Sequence, residues 1–152
     1  MLYLHGFLSS VQSLKAQQAR AYCSEIGLRE NITIPQMSHG PAETIAQLHA
    51  LIDEIDTGNL VLMGSSLGGY YATYLSEFYQ APAVLINPAV RPYELWESRL
   101  GENRNYHSGK IHVVTRKHIE ELRQIDVSVL SKPTNFKVFL QTSDETLDYR
   151  QA

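Results

Sequence analysis

The residues Gly64-Ser65-Ser66-Leu67-Gly68 have the spacing G-x-S-x-G, with Ser66 at the centre. A serine so placed can be the nucleophile of acyl transfer. The reason for the spacing is steric: a serine held in a sharp turn from strand to helix takes a strained backbone conformation, and its neighbours must be small for the turn to close. Such a turn lifts the hydroxyl clear. The next amide, that of Leu67, then falls in the first turn of a helix, where donors are unpaired and the dipole favours negative charge, so it can hold an oxyanion. Tight packing on a sheet and an anion cradle are the other uses of a glycine-rich helix start. No Lys-Ser/Thr follows the glycines, as a phosphate-binding P-loop would require.

Three further groups have types and positions that suit the same chemistry. His5-Gly6-Phe7 follows a short apolar run, where the loop after a first central strand would supply the second oxyanion donor, and the backbone N–H of Phe7 is the candidate. His5 and Gly6 shape that loop and are expected to border the substrate; an ordinary turn made with Gly6 is the alternative. Asp144 lies just past a late apolar run, where a carboxylate can orient a catalytic histidine, and it follows the serine in the order usual for this class. Asp126 and Asp148 are weaker candidates, and a helix cap is the other use of Asp144. Arg91, in Asn87-Pro88-Ala89-Val90-Arg91-Pro92, is expected at the carboxyl end of another strand, where it could hold a substrate carboxylate or phosphate, or else form a structural ion pair. The six histidines are dispersed without ligand spacing and Cys23 is the single cysteine, so neither a metal nor a cofactor is expected.

The elements that must position these groups alternate. Short strands are expected at Met1 to Leu4, Asn31 to Ile34, Leu60 to Met63, Ala83 to Ile86 and Phe136 to Leu140. Helices are expected from a cap at Ser10 or Ser13 to about Ile26, with Leu14, Ala21, Tyr22 and Ile26 as the apolar face, from Pro41 to about Ile55, and from Leu67 to Tyr79. This pattern implies an α/β fold with a mostly parallel sheet covered by helices on both faces, and a site beyond the carboxyl ends of the strands. Residues 93–135 are expected to form a lid-like insertion: a short helix carrying Trp96, a polar loop over 101–110, a strand near Ile111 to Val114, and a helix through Ile119, Leu122 and Ile125. The chain of 152 residues suits one domain. A net charge of −3 with scattered Lys and Arg argues against a nucleic-acid partner. No apolar run is long enough to span a bilayer and no basic region precedes the first hydrophobic residues, so a cytoplasmic protein without a membrane partner is expected.

The stretches Tyr3-Leu4-His5-Gly6-Phe7, Gly64 to Thr73 (GSSLGGYYAT), Asn87 to Pro92 (NPAVRP), and Asp144-Glu145 through Asp148-Tyr149-Arg150-Gln151-Ala152 together resemble the YqiA-like bacterial esterases, along the whole chain. The resemblance implies a small cytoplasmic α/β-hydrolase protein that cleaves carboxylic esters, with acyl-thioesters as a neighbouring class. Ser66 would be its nucleophile and Asp144 its acid. The implied partner is a small-molecule ester or acyl-CoA-like substrate; a monomer and a homodimer are both open. Members of that family continue with one more strand and a Gly-Asn-His segment bearing the catalytic histidine, whereas no histidine follows Asp144 here. The chain as written is therefore expected to be a truncation, or part of a longer protein, lacking the last strand and the base. A non-catalytic hydrolase-fold module that binds a ligand or a protein is the rival expectation.

Overall fold

Four parallel strands carry the molecule: β1 (Leu2–Leu4), β2 (Leu62–Ser66), β3 (Ala83–Pro88) and β6 (Phe136–Phe139), adjacent in that spatial order. The computed structural model describes residues 1–55, 57–105, 108–142 and 147–152. The segment expected as a strand at Asn31 to Ile34 is instead a 3₁₀ turn, Arg29–Asn31, followed by one parallel bridge from Thr33 to Leu2. Parallel neighbours require crossovers, and helices supply them: α1 (Leu14–Glu25), α2 (Pro41–Asp53) and α3 (Leu67–Tyr79).

Side chains alternate across the sheet, and the two faces are covered unequally. Leu2, Leu4, Leu62, Ala83 and Leu85 point into the main core with Leu48 and Ile52 of α2 and Tyr71 and Leu75 of α3. On the other face, α1 packs through Ala16 on Tyr3 and Ile34, with Ala19 and Met63 at the edge of the cluster. This corrects the face expected for α1. Leu14, Tyr22 and Ile26 are exposed, Ala21 is exposed as well, and the helix turns its small side chains inward because they permit close approach to the sheet. The cover reaches only the β1–β2 half: Val84 and Ile86 are partly exposed and Phe139 is exposed.

Between β3 and β6 the chain forms α4 (Pro92–Trp96), a 3₁₀ turn (Glu97–Arg99), the antiparallel hairpin of β4 (Gly101–Arg104) and β5 (Ile111–Val114), and α5 (Arg116–Gln124). The strand β4 replaces part of the polar loop expected over 101–110. Its residues, Gly-Glu-Asn-Arg, have no apolar signal, and it exists through its pairing with β5. Ile119 and Leu122 of α5 reach the main core, and the Tyr70 hydroxyl of α3 donates to the Leu122 carbonyl at 2.8 Å. Among the described residues no helix is long and apolar enough to cross a membrane.

Candidate active site

Ser66 sits at φ 54°, ψ −123°, as the last residue of β2 and the N-cap of α3. A residue with a Cβ is strained there, and such a conformation costs on the order of 1–3 kcal/mol. The surroundings enforce it. A Cβ on Gly64 would collide with the Gly68 carbonyl, and one on Gly68 would collide with the Leu4 carbonyl, so only glycine lets α3 start hard against the ends of β1 and β2. The β2–β3 register also shifts between Ser65 and Ser66, and the Ser66 carbonyl accepts from Ala89 N–H at 3.0 Å. The side chain that results is half-buried, and its hydroxyl has no hydrogen-bond partner among the described residues.

The loop after β1 is pinned by His5. Its Nε2 accepts from Met37 N–H at 3.4 Å, which leaves the proton on Nδ1 to donate to the Gly6 carbonyl at 3.0 Å. Burial of the ring holds it there. Gly6 then passes close to the nucleophile: a Cβ on it would lie 3.3 Å from Ser66 Cβ. The next amide, that of Phe7, has no hydrogen-bond partner among the described residues, while the Phe7 ring packs on Trp96 at 4.6 Å between centroids. From the insertion, Asn105 Nδ2 donates to the Ser9 carbonyl at 3.0 Å and ties the hairpin to the same loop.

Ser66 opens into a chamber of about 330 Å³. Its walls combine the apolar side chains of Phe7, Leu67, Pro92, Leu95, Trp96 and Leu147 with polar surface, and Arg99 at the rim is the one charged side chain among the described lining residues. The structure therefore brings together Ser66, Leu67 and Phe7, with Gly6 against the serine. His5 stands behind the loop, in a smaller cavity of about 30 Å³ that also touches Phe7, Leu67, His39 and His112.

Arg91 is not brought to the chamber. It takes a left-handed conformation (φ 47°), pairs with Glu94 at 3.6 Å, and borders a separate groove of about 290 Å³ with Tyr70 and Asp126. Asp144 lies outside the described residues. On one side of it, Gln141 N–H donates to Asn87 Oδ1 at 2.6 Å, and on the other Leu147 lines the Ser66 chamber. The two weaker acids are engaged elsewhere: Asp126 accepts from Tyr70, and Asp148 is held below the usual carboxylate range chiefly by the hydrogen bond from the Arg150 side chain.

The described histidines are occupied too. His39 and His112 meet Nδ1 to Nδ1 at 2.8 Å, His49 bonds the Tyr79 hydroxyl at 2.7 Å, and His118 Nδ1 accepts from Thr115 N–H at the start of α5. His112 is pushed below the ordinary histidine value by burial first, then by His39 and Lys110. His107 lies outside the described residues. No group of three or more His, Cys, Asp or Glu side chains able to hold a metal occurs among the described residues.

Sequence reasoning passed over Arg99, Leu95, Ser98 and Leu147. They sit on a short helix, a 3₁₀ turn and a loop, too brief for any periodicity to mark an inward side; their nearness to Trp96 and Asp144 was the only signal.

Comparison with known proteins agrees with this architecture. A family model, Uncharacterised protein family (UPF0227), matches residues 1–152. Mouse alpha/beta hydrolase domain-containing protein 10 superposes with a TM-score of 0.75 at 15% identity, over 98% of this chain and 71% of that one. A protein of Agrobacterium vitis S4 gives 0.75 at 17% identity, over 98% and 70%. Est1E of Butyrivibrio proteoclasticus, solved with ferulic acid bound, gives 0.70 at 14% identity, over 98% and 71%. At these identities the likeness is one of fold, and the fold is that of the α/β hydrolases.

Proposed function

The chain belongs to the UPF0227 family, and on that premise, together with the geometry at Ser66, we propose that the protein is a serine esterase acting on small carboxylic or acyl-thio esters. The observation that carries the reading is the strained, half-exposed serine, with an unengaged hydroxyl, facing a chamber of about 330 Å³. Strain of this kind persists where the surrounding structure enforces it, and it gathers at reactive centres. The ferulic acid in Est1E is a carboxylic acid held by a protein of the same fold, which is consistent with an acyl product here.

The reaction runs in two halves. Ser66 Oγ attacks the ester carbonyl carbon and gives up its proton to a general base, while the carbonyl oxygen takes the negative charge. We assign the amides of Phe7 and Leu67 as the donors to that oxygen, since both residues line the chamber with Ser66, and each such donor is worth roughly 10²–10³ in rate. Collapse expels the alcohol or thiol, which recovers the proton, and leaves an acyl group on Ser66. Water activated by the same base then releases the acid. The apolar walls from Phe7, Leu95 and Trp96 suit the acyl chain. The described histidines are engaged away from Ser66, and the resemblance implies a histidine after the acid as the base, with Asp144 as its orienting partner.

The full-length gene product should hydrolyse p-nitrophenyl esters, and Ser66→Ala should lower turnover by at least about 10³-fold. Equal turnover by the two proteins would remove Ser66 from the reaction. The engagement of the described histidines favours one alternative, a binding module of hydrolase fold. It is chosen instead if the full-length protein retains an ester or acid in the chamber yet hydrolyses none.

A further inference from the structure

The chamber beside Ser66 joins apolar side chains, Phe7, Leu95 and Trp96 among them, to the polar groups of Ser66, Ser98 and Arg99, and Arg99 is the one charged residue among its described lining. Two arginines near it have carboxylate partners, Arg91 with Glu94 and Arg123 with Glu120 at 3.1 Å and Glu97 at 4.0 Å, while Arg104 of β4 has no described carboxylate partner but does not line the chamber. No described carboxylate pairs with Arg99. Its backbone is fixed as well, because Asn103 Nδ2 of β4 donates to the Arg99 carbonyl at 2.7 Å and to the Gly101 carbonyl at 3.0 Å. The hairpin thus holds the turn that presents the guanidinium. A planar donor at the edge of a chamber with both apolar and hydroxyl-bearing walls, its charge uncompensated by described acids, is suited to a carboxylate or phosphate oxygen on a molecule whose uncharged part fills the chamber.

We propose that Arg99 selects esters carrying an anionic group, which it binds at the rim while Ser66 attacks the ester carbonyl. This rests on the esterase reading above and deepens it to a substrate class: amphiphilic esters with one carboxylate or phosphate. The anion can belong to the acyl part, as in a monoester of a dicarboxylic acid, or to the leaving group, as in a phosphorylated alcohol or thiol. The shared chemistry is the oxyanion, and the two sources are separable by experiment.

The test compares three esters with the full-length protein: p-nitrophenyl butyrate (neutral), p-nitrophenyl hemisuccinate (anion on the acyl side), and para-carboxyphenyl butyrate (anion on the leaving group), the last read against phenyl butyrate. One anionic ester should be preferred by kcat/KM over its neutral counterpart. Arg99→Gln should lower that preference about tenfold, equivalent to about 1.4 kcal/mol. Raising the salt concentration should lower it in the wild-type protein, since the guanidinium is exposed. Arg20→Gln, exposed on α1, should leave the preference alone. A second arm needs no turnover: binding of the same esters to Ser66→Ala and to Ser66→Ala/Arg99→Gln, followed by nuclear magnetic resonance. Tighter anionic binding that depends on Arg99, without hydrolysis by the wild type, would overturn the esterase reading and with it the claim of ester selection, leaving Arg99 as an anion-binding residue only. No preference for either anionic ester, or a preference that survives Arg99→Gln, would overturn the proposal.

Discussion

Replacing Ser66 with glycine should strengthen the fold while removing the proposed chemistry. The residue is held at φ 54°, ψ −123°, where a Cβ costs roughly 1–3 kcal/mol. Glycine relieves that strain, but its freer unfolded chain takes back about 0.5–1 kcal/mol. Loss of the hydroxyl adds little, because it has no hydrogen-bond partner among the described residues. The net expectation is a gain of about 0.5–2 kcal/mol, which for a chain of this size raises the Tm by about 1–8 °C. Ser66→Ala is the necessary companion: it deletes the same hydroxyl but keeps the Cβ, so its Tm should stay within about 1 °C of wild type. Calorimetry of the three proteins under identical conditions gives the comparison. A glycine variant no more stable than the alanine variant would refute the claim that the backbone at Ser66 stores strain.

Gly68→Ala would drive a methyl group onto the Leu4 and His5 carbonyls, which cannot yield as a flexible side chain would; denaturant titration should show a loss of about 3 kcal/mol, and labelling of Ser66 should slow as the Leu67 amide moves. Asn87→Ala removes the acceptor of Gln141 N–H at 2.6 Å and puts alanine at φ 42°, so stability should fall by about 2 kcal/mol, with Asn87→Gly recovering the backbone part. The neutral form of His112 is favoured in the fold, so the unfolded chain binds that proton more readily; stability should decline as pH drops below about 6.5, and His112→Gln should flatten the decline in urea titrations at about pH 7.5 and 5.5.

The parts legible in sequence are those where sterics leave one choice. The elbow showed itself because only glycine fits at positions 64 and 68, and α2 and α3 because their apolar residues recur at helical spacing over thirteen residues each. The face of α1 did not show itself. Leu14, Tyr22 and Ile26 outweigh Ala16 and Cys23 in any hydrophobic count, but the helix approaches a half-covered sheet, where contact distance favours small side chains over large ones. The strand β4 was illegible for another reason: a polar strand is made by its partner, and β5 lies beyond a loop. At the site, chain order placed Phe7 and Leu67 beside Ser66, whereas it could not tell which arginine lines the chamber. Arg91 and Arg99 are eight positions apart on either side of a short helix, and a left-handed turn at Arg91 with Glu94 as its partner diverts the first from the chamber, while a 3₁₀ turn carries the second to its rim.

The most direct test of the central claim is covalent. Treat the full-length protein with a neutral alkyl fluorophosphonate, measure intact mass, and map the modified peptide. The account predicts one adduct, on Ser66, absent from Ser66→Ala. An unmodified wild-type protein, or an adduct on another residue that persists in Ser66→Ala, would contradict it.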